Sequence, residues 1–590
     1  MTHQDAAAAA LLFEARPCSP PAVPPGPGEL EALGGARLRR LLTRRAVIER
    51  RPVHLYRGGA AATSMRVDGV EATADALFLT GTWAGDAALE PGTYRATIVG
   101  PTSMQSFDGE VVAGLPGRAR MRVGKIAHSG FRASPRADPG DGCLVTLPAG
   151  KDVAWSDLPD SQVRDVSSDG LGVLSDRPLA AALGAELPLH IKLLDLPEVE
   201  NVHARGAVRS HGLLPDGRHR YGIELVSFAR PADRECWRRF VFRRTHPRSL
   251  QGRESGGLRA WQALRGSGYV ELFTHERERG DLKERFVRTW GEASATCGKH
   301  VVIEQGGRPV ATIGGSQVYP STWLIHHVGI DAEFRSQRGR RALVDVAREL
   351  YSAIFYHFLH GAEADHVLIY FERGKRWSQL FYRDFVLRHP DKSGYVYDRY
   401  KMYRCEAALE PAFVHPTLQI VSADSEHLDL LSSCLARDLR PLELEALAYC
   451  RRDLDLRSYC EQSRRRGDER GREIRIALRD GEPVGAMIAE TGSLGVNIFG
   501  LLDQCKIVGL GSPLVTRAAA YAALLTDARR YFAQQGRRRF VLITPPGTDD
   551  AELAGYGCAP VGEGQRCIVH RRLLPAWLAH IDEVEGGDCD

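Results

Sequence analysis

The sequence lacks the features that would indicate a membrane anchor, a disulfide framework or a metal centre. Its 12 cysteines include no CxxC pair and no His/Cys spacing typical of zinc. Thiols scattered in this way are typical of a reducing compartment, so we predict reduced cysteines, no bound metal and a cytoplasmic protein. The apolar stretch AAAAALLF, residues 6–13, is too short to span a bilayer and has no basic start, and no later run qualifies as a transmembrane segment.

An excess of charge of one sign is also missing. The formal net charge is only +4 over 590 residues, so no overall field attracts nucleic acid or a membrane surface. The arginines are dispersed through amphipathic helices and do not form a basic face interleaved with aromatics, and we predict no nucleic-acid partner. Ligands and partners must therefore be argued from local sites.

The chain is too long for one hydrophobic core, which predicts several domains. Short strands separated by turn residues come first, and strands alternating with long helices follow. We predict a multidomain fold, with two N-terminal β-barrels followed by α/β (α+β) lobes in tandem. The predicted parts are a Pro/Gly-rich disordered tail (1–35), a small β-barrel (36–130), a second barrel capped by a helix (131–248), a linker (249–268), two lobes (269–412 and 413–580) and a C-terminal tail (581–590).

Two motifs stand near the start of the second predicted barrel. FRASPRADPGDG places Arg132 and Arg136 in an RxxxR pattern, and VRDVSSDGLG supplies Asp165, Ser167 and Gly170 further along. Strand alternation puts Asp165 and Ser167 on one face, and a glycine allows a turn or a close approach of the backbone to a ligand. Taken alone, these residues also fit a hairpin corner with local hydrogen bonds and a solvated arginine turn.

The order of elements resembles the PilZ family over residues 131–248: an RxxxR pair, a strand, DVSSDG, a closing YGIEL strand and a terminal helix. The resemblance implies a receptor for the bacterial messenger cyclic di-GMP, whose phosphates and guanine edges an arginine fork can contact. It implies that Arg132 and Arg136 hold phosphate and guanine, that Asp165 accepts from a guanine N–H edge, that Ser167 hydrogen-bonds nearby and that Gly170 permits close approach.

The small barrel before this segment resembles the N-terminal domain of flagellar-brake proteins. In those proteins the RxxxR connector joins two barrels. The resemblance implies that ligand binding orders the connector and changes the relative orientation of the two barrels.

The first C-terminal lobe resembles the GNAT acyltransferase fold, in which a loop at a helix N-terminus holds the pyrophosphate of coenzyme A. The resemblance places this loop at Arg335, Gln337, Arg338 and Gly339. Arginines stand where the family has small residues. Their side chains would crowd a backbone cradle, although they can contact phosphate directly.

The same pattern recurs in the second lobe, where REIRIALRDGEPVGAMIAETG parallels VVIEQGGRPVATIGGSQV. The segment KIVGLGSPL stands at the loop position and supplies Lys506, Gly509 and Gly511 as candidate ligands of acyl-CoA. A glycine turn without a ligand fits this segment equally well.

Acyl transfer to an amine needs a base for the amine proton and an acid for the departing thiolate. His326 or His327, and Tyr382 at the tyrosine position of the family, are the candidates for these roles. Neighbouring strand residues face opposite sides, so we expect the two histidines to point apart. Each of the three residues also fits a purely structural role.

We therefore expect a bacterial cyclic di-GMP receptor whose PilZ domain regulates an acyltransferase-like C-terminal half. Two alternatives remain. The chain can be an N-acyltransferase that uses an acyl-CoA donor and has the β-domains as scaffold. It can also be a non-catalytic docking protein for a motility or envelope partner.

Overall fold

The structure is a computed structural model that describes residues 42, 46 and 53–583, apart from short internal gaps. The predicted disordered tail, residues 1–35, lies outside the described residues, as do residues 584–590. The internal gaps are residues 58–59, 74–75, 84–88, 100–102, 116, 132–135, 147–160, 177, 180–181, 195–199, 215, 252–255, 271–278, 293–297, 361, 363, 373–377, 409–416, 466–469, 494–495, 497–499 and 511–513.

The described residues divide into two compact units. The first contains everything up to Pro247 together with Pro575–Glu583, and the second contains Arg248–Leu574. Within the described part of the chain, two covalent connections join the units, one after Pro247 and one after Leu574.

Six antiparallel strands of the first unit close into a barrel in the order β1-β2-β3-β6-β5-β4. Side chains of a strand alternate between two faces, so Val53 and Leu55 are buried in the barrel while His54 between them is partly exposed. The strands are β1 (Val53–Arg57), β2 (Ala60–Ala72), β3 (Leu77–Trp83), β4 (Gly92–Val99), β5 (Ser103–Leu115) and β6 (Arg118–Phe131).

Six more strands form a sheet in the order β7-β10-β11-β12-β9-β8, whose edge strands approach each other and nearly close it. Helix α1 (Pro231–Thr245) follows and buries Trp237 and Phe240. The predicted N-terminal pair of barrels is thus confirmed. The strands are β7 (Cys143–Thr146), β8 (Ser161–Ser167), β9 (Gly170–Ser175), β10 (Glu186–Leu193), β11 (Glu200–Leu213) and β12 (His219–Phe228).

The second unit is built on one mixed sheet of twelve strands, in the order β13-β14-β15-β16-β17-β24-β18-β23-β22-β21-β20-β19. The strands are β13 (Ser249–Gln251), β14 (Gly298–Gln305), β15 (Arg308–Tyr319), β16 (Thr322–Ile330), β17 (His366–Glu372), β18 (Tyr395–Glu406), β19 (Leu418–Ser422), β20 (Gly471–Arg479), β21 (Glu482–Thr491), β22 (Gln504–Gly509), β23 (Arg539–Thr544) and β24 (Cys558–His570).

Helices follow the strands of this sheet in a pattern that occurs twice, which confirms the predicted tandem α/β lobes. The helices are α2 (Gly257–Gly266), α3 (Arg279–Glu292), α4 (Ala332–Gln337), α5 (Arg340–His360), α6 (Asp384–Arg388), α7 (Ser425–Asp438), α8 (Pro441–Ala446), α9 (Arg457–Arg465), α10 (Leu514–Gln534), α11 (Asp550–Gly555) and, at the end of the chain, α12 (Leu574–Glu583).

The two lobes exchange their last strands. In the first lobe β17 pairs with β24, and in the second lobe β23 pairs with β18. The exchanged strands β18 and β24 also pair with each other along most of their length. The lobes therefore share one continuous sheet.

In the residues that the structure describes, each lobe has one pair of parallel strands, which separates after a short stretch. Strands β16 and β17 pair from Thr322 to Ile325 and then diverge. Strands β22 and β23 pair only at Gln504 and Cys505 and then diverge. Diverging strands leave backbone N–H and C=O groups in the gap, which other groups must satisfy.

The segment predicted as a linker, residues 249–268, forms ordered elements of the second unit. Strand β13 pairs with β14, and helix α2 buries Trp261 and Leu264. Its glycines have structural roles: Gly256 takes a φ of 52° as the N-cap of α2, and a Cβ at Gly257 would stand 2.5 Å from the carbonyl oxygen of Val287.

Candidate functional site

Arg136 lies beside Asp165 in the first unit. The segment that carries Arg136 is fixed along β8 by two backbone hydrogen bonds of 2.9 Å between Ala137 and Val166. The Arg136 Nη1 then donates to Asp165 Oδ1 over 2.5 Å. The structure therefore brings together two of the residues predicted to bind the nucleotide. Arg132 lies outside the described residues.

A further arginine lies beside the same carboxylate. Nη2 of Arg220, in β12, lies 4.0 Å from Asp165 Oδ2. The pKa of His54 is lowered mainly by burial and further by the positive charges of Arg164 and Arg220. His54 belongs to β1, so the first barrel borders this site. Two guanidinium groups, those of Arg136 and Arg220, therefore lie within 4.0 Å of the Asp165 carboxylate.

Ser167 and Gly170 form the turn between β8 and β9. The Ser167 hydroxyl donates to the carbonyl of Gly170 over 3.2 Å, and the indole N–H of Trp237 donates to the carbonyl of Ser167 over 3.0 Å. A Cβ at Gly170 would stand 2.4 Å from the carbonyl oxygen of Ile223. Packing against β12 therefore already requires this glycine, and the buried Ser167 side chain stabilises the turn.

Gly172, Arg164, Arg220 and His54 belong to the site and were not predicted from the sequence. Gly172 is the cross-strand partner of Asp165, and its lack of a side chain leaves room for the carboxylate. The GLG pattern that follows DVSSD could have indicated Gly172 as a second position where the backbone is approached closely. The others come from β1, β8 and β12, and no local motif marks them.

This arrangement is suited to an anionic ligand that also carries hydrogen-bond donors. Guanidinium groups bind phosphate oxygens through paired N–H donors, and a carboxylate accepts from N–H groups. The side chains of Arg136 and Asp165 are 32% and 19% exposed, so a ligand can reach both.

In the second unit, His326 and His327 lie where β16 leaves β17. His327 has a φ of 54°, which bends the strand, so the expectation that the two rings point apart is wrong. The ring centroids lie 4.0 Å apart and both rings contact Trp290. Burial lowers the pKa of His326 to about 3, and burial, followed by the charges of His326 and His300, brings the pKa of His327 well below its usual value.

Three tyrosines complete this first divergence. The hydroxyl groups of Tyr382 and Tyr351 hydrogen-bond to each other, and burial followed by the interaction with Tyr351 holds the pKa of Tyr382 well above its usual value. The Tyr269 hydroxyl accepts a hydrogen bond from the backbone N–H of His327, and its charge acts on Tyr382. The predicted catalytic residues are thus brought together, but they are buried.

The predicted coenzyme A loop of the first lobe contains the short helix α4. Arg335 donates to the carbonyl of Ser267 over 3.2 Å, and Gln337 donates to Glu333 over 3.0 Å. The guanidinium of Arg338 lies 5.9 Å from the centroid of the Phe334 ring. A Cβ at Gly339 would meet no atom of the described residues within 4 Å, so local packing does not require that glycine.

The corresponding residues of the second lobe are placed differently from the prediction. Lys506 lies within strand β22 and not in a loop, and its ammonium group lies 5.2 Å from the centroid of the Tyr449 ring. Burial lowers its pKa, against the opposing effect of Glu443. Gly509 is the last residue of β22, and Gly511 lies outside the described residues.

Two further findings concern the described residues alone. Among them, no group of three or more His, Cys, Asp or Glu side chains is arranged to hold a metal ion. None of their helices is both long enough and apolar enough to cross a membrane.

No family model matches the chain, and no curated protein matches its sequence. Solved structures similar to its N-terminal part include the Bacillus subtilis inhibitor of motility MotI/DgrA, with 13% identity, a TM-score of 0.21, and coverage of 33% of this chain and 94% of that one. They also include the K. pneumonia MrkH–c-di-GMP complex, with 10% identity, a TM-score of 0.28, and coverage of 35% and 92%.

Over the C-terminal part the similar structures are GNAT proteins. One is a GCN5-related N-acetyltransferase from Sphaerobacter thermophilus, with 14% identity, a TM-score of 0.31, and coverage of 55% of this chain and 96% of that one.

Proposed function

We propose that the first unit is a receptor for cyclic di-GMP. The observation that carries this proposal is the contact of Arg136 with Asp165, with Arg220 at the other carboxylate oxygen. Cyclic di-GMP has two phosphates and two guanine bases, so it offers acceptors to the arginines and N–H donors to Asp165.

On binding, Arg136 exchanges its contact with Asp165 for ligand oxygens. The carboxylate then accepts from a guanine N–H edge. Phosphate replaces carboxylate as the partner of the Arg136 guanidinium, and the positive charges of Arg136 and Arg220 attract the negatively charged phosphates. Gly172 leaves the space that the Asp165 carboxylate occupies.

We also propose that ligand binding regulates the second unit. The two covalent connections, after Pro247 and after Leu574, support this step, because a rearranged first unit acts on the second through both of them. A ligand shifts an equilibrium between two conformations only to the extent that it binds them with different affinities. The two conformations would differ in the contact between Arg136 and Asp165, which is made without ligand and broken when ligand binds.

A titration of the full chain with cyclic di-GMP by isothermal calorimetry tests the receptor role. We expect saturable binding that Arg136→Ala weakens by at least about tenfold, since a charged hydrogen-bonding group is lost. Arg209→Ala is the matched control, because Arg209 is an exposed arginine of the same sheet, paired with Glu224. Equal affinities for unmodified chain and Arg136→Ala would refute the assigned role.

Acyl transfer at the first strand divergence is the second candidate function. The Tyr382–Tyr351 hydroxyl pair, with Tyr269 at the backbone N–H of His327, favours it. Such an N–H can stabilise an oxyanion, and a protonated tyrosine can supply a proton to a thiolate. Burial keeps the pKa of His326 and His327 so low that neither can accept the proton of an amine substrate. Catalysis therefore requires the strand divergence to open to solvent.

A turnover screen with acetyl-CoA and amine acceptors, including amino acids, tests this second function. Release of free coenzyme A together with an acylated product supports it. Loss of that activity in Tyr382→Phe, with retention in Tyr531→Phe, would assign the acid role to Tyr382. Absence of product with every acceptor favours a non-catalytic second unit.

A further inference from the structure

Cys405 and Cys558 form a buried pair of thiols between the two exchanged strands. Cys405 in β18 and Cys558 in β24 are direct cross-strand partners, and their Sγ atoms lie 3.0 Å apart. The residues are 0% and 1% exposed. Neither belongs to the nucleotide site or to a strand divergence.

Arg529, on α10, supplies a buried positive charge beside this pair. The residue is 5% exposed, and its guanidinium donates to the carbonyls of Glu406 and Tyr556 and lies 4.0 Å from the Cys558 sulfur. Among the described residues, no carboxylate forms an ion pair with Arg529. A guanidinium stays charged in a protein, and a buried charge without compensation is costly. Cys558 is the neighbouring group that can provide the compensating negative charge.

The two thiols are affected in opposite directions by this environment. Hydrogen-bond donation from Cys405 lowers the pKa of Cys558 against the effect of burial, and the charge of Arg529 lowers it further. The same hydrogen bond, followed by burial, raises the pKa of Cys405. The environment therefore favours the thiolate at Cys558 over the thiolate at Cys405, which suits Cys558 to the role of an attacking cysteine and Cys405 to that of a resolving cysteine.

We propose that Cys405 and Cys558 are a redox modification site, which peroxide converts to a reversible disulfide between β18 and β24. The Cys558 thiolate attacks one oxygen of hydrogen peroxide. The O–O bond breaks, hydroxide departs, and Cys558 becomes a sulfenic acid. The Cys405 thiol then attacks that sulfur, the S–S bond forms, and the sulfenic OH departs with the thiol proton as water. Two electrons pass from the two sulfurs to the peroxide.

The disulfide would join strands that belong to different lobes of one sheet. It links positions far apart in the sequence, so it restricts the unfolded chain and raises the stability of the second unit. Because both thiols are buried, a small oxidant such as hydrogen peroxide reaches them faster than larger reagents do.

Peptide mapping of the full chain tests the proposal. The protein is treated with hydrogen peroxide, alkylated with N-ethylmaleimide under denaturing conditions, digested and analysed by mass spectrometry. We expect a peptide with a Cys405–Cys558 disulfide that dithiothreitol removes. Cys567 is the internal control, since it is buried on the same strand and burial raises its pKa. The proposal is overturned if Cys405 and Cys558 are recovered alkylated while the partly exposed Cys450 is oxidised, or if Cys558 pairs with Cys505 instead.

A rate comparison tests the part played by Arg529. Removal of its charge in Arg529→Gln should slow disulfide formation by about tenfold, because less Cys558 is present as thiolate. The neighbouring exposed residue gives the control Arg530→Gln, which should leave the rate unchanged. Equal rates in both variants overturn the role of Arg529. If Arg529→Gln does not fold, the peptide map of the unmodified chain decides the proposal by itself.

Discussion

Gly172 lies directly across from Asp165 in the pairing of β8 with β9, and a Cβ at Gly172 would stand 2.8 Å from Asp165 Oδ2. This space holds the carboxylate that contacts Arg136. The glycine therefore determines where Asp165 lies, and with it the acceptor of the proposed nucleotide site.

Gly172→Ala should weaken cyclic di-GMP binding. The added methyl group displaces the Asp165 carboxylate, and we expect a loss of about tenfold in affinity, the equivalent of one charged hydrogen bond. The control is Gly212→Ala in β11 of the same sheet, where a Cβ meets no described atom within 4 Å. The two dissociation constants, measured by calorimetry, should differ. Equal values would show that the position of Asp165 does not affect binding.

Ligand binding should be coupled to proton uptake by His54. Burial, then Arg164 and Arg220, lowers the pKa of His54, so its imidazole is neutral in the free protein at neutral pH. Phosphates beside those arginines would raise this pKa toward its ordinary value of about 6.5. Because the bound state then holds the proton more tightly, affinity should rise as the pH falls through this range.

Calorimetry in buffers of different ionisation enthalpy measures this proton uptake. His54→Gln should abolish the uptake and flatten the pH dependence. The control is His219→Gln, a change at a partly exposed histidine of the same unit, and it should change neither. Binding of the unmodified chain without any proton exchange would contradict the assignment of His54.

A buried ionic network connects the two lobes of the second unit. Glu490 is 1% exposed and accepts from Arg470 over 2.6 Å and from Arg472 over 2.5 Å, and it also accepts from the hydroxyl of Tyr319 in the first lobe over 2.8 Å. Burial raises the pKa of Glu490, but the two arginines outweigh this effect and lower the pKa to about 2.

Glu490→Gln should destabilise the second unit by several kcal/mol, since two buried arginines lose their anion; removing one partner of a buried pair costs about 3–5 kcal/mol. Urea unfolding of this variant, compared with Glu473→Gln, measures the effect. Glu473 is a partly exposed carboxylate that pairs with Arg475 on β20, so its change should cost less than about 1 kcal/mol. If both variants lost a similar free energy of unfolding, the claim that burial makes the Glu490 ion pairs important would be contradicted.

The unmodified protein should also lose stability in acid. The folded pKa of Glu490 lies below its unfolded value, so its contribution is present above about pH 4.5 and is lost as the pH falls toward 2. Urea unfolding measured across this range should show the loss, and Glu490→Gln should remove that part of it. A variant with the same acid dependence as the unmodified chain would exclude Glu490 as its source.

Tyr269 should control access to the first strand divergence. Its hydroxyl takes the hydrogen bond of the His327 backbone N–H, which a thioester carbonyl would need. Tyr269→Ala removes both the hydroxyl and the ring, so acetyl-CoA, which has a thioester carbonyl, should bind at least about tenfold more tightly. Tyr269→Phe keeps the ring in place and should change the affinity much less. Calorimetry with acetyl-CoA distinguishes the two variants, and unchanged affinity in Tyr269→Ala would contradict this role.

The sequence predicted the fold class and part of the proposed nucleotide site because both depend on local patterns. Strand alternation and turn residues marked the barrels, and the RxxxR and DVSSDG motifs pointed to Arg136 and Asp165, which the structure brings into contact. His54 and Arg220 were missed because their position depends on the pairing of distant strands. No pattern in either segment encodes that pairing.

The second unit was less predictable for the same reason. Periodicity marked its strands and helices, but the exchange of β18 and β24 depends on long-range pairing. The glycines at 256 and 257 suggested a linker, whereas they begin a buried helix. The positive φ of His327 reverses the expected alternation, and residue type alone does not indicate such a bend.

Calorimetry of the full chain and of Asp165→Ala with cyclic di-GMP tests the central claim most directly. We expect saturable binding to the unmodified chain, weakened by at least about tenfold in the variant because the guanine loses its acceptor. Cyclic di-AMP, which has the same phosphates and different base edges, should bind more weakly than cyclic di-GMP. Absence of binding to the unmodified chain, or equal affinity in Asp165→Ala, would contradict the proposed receptor function.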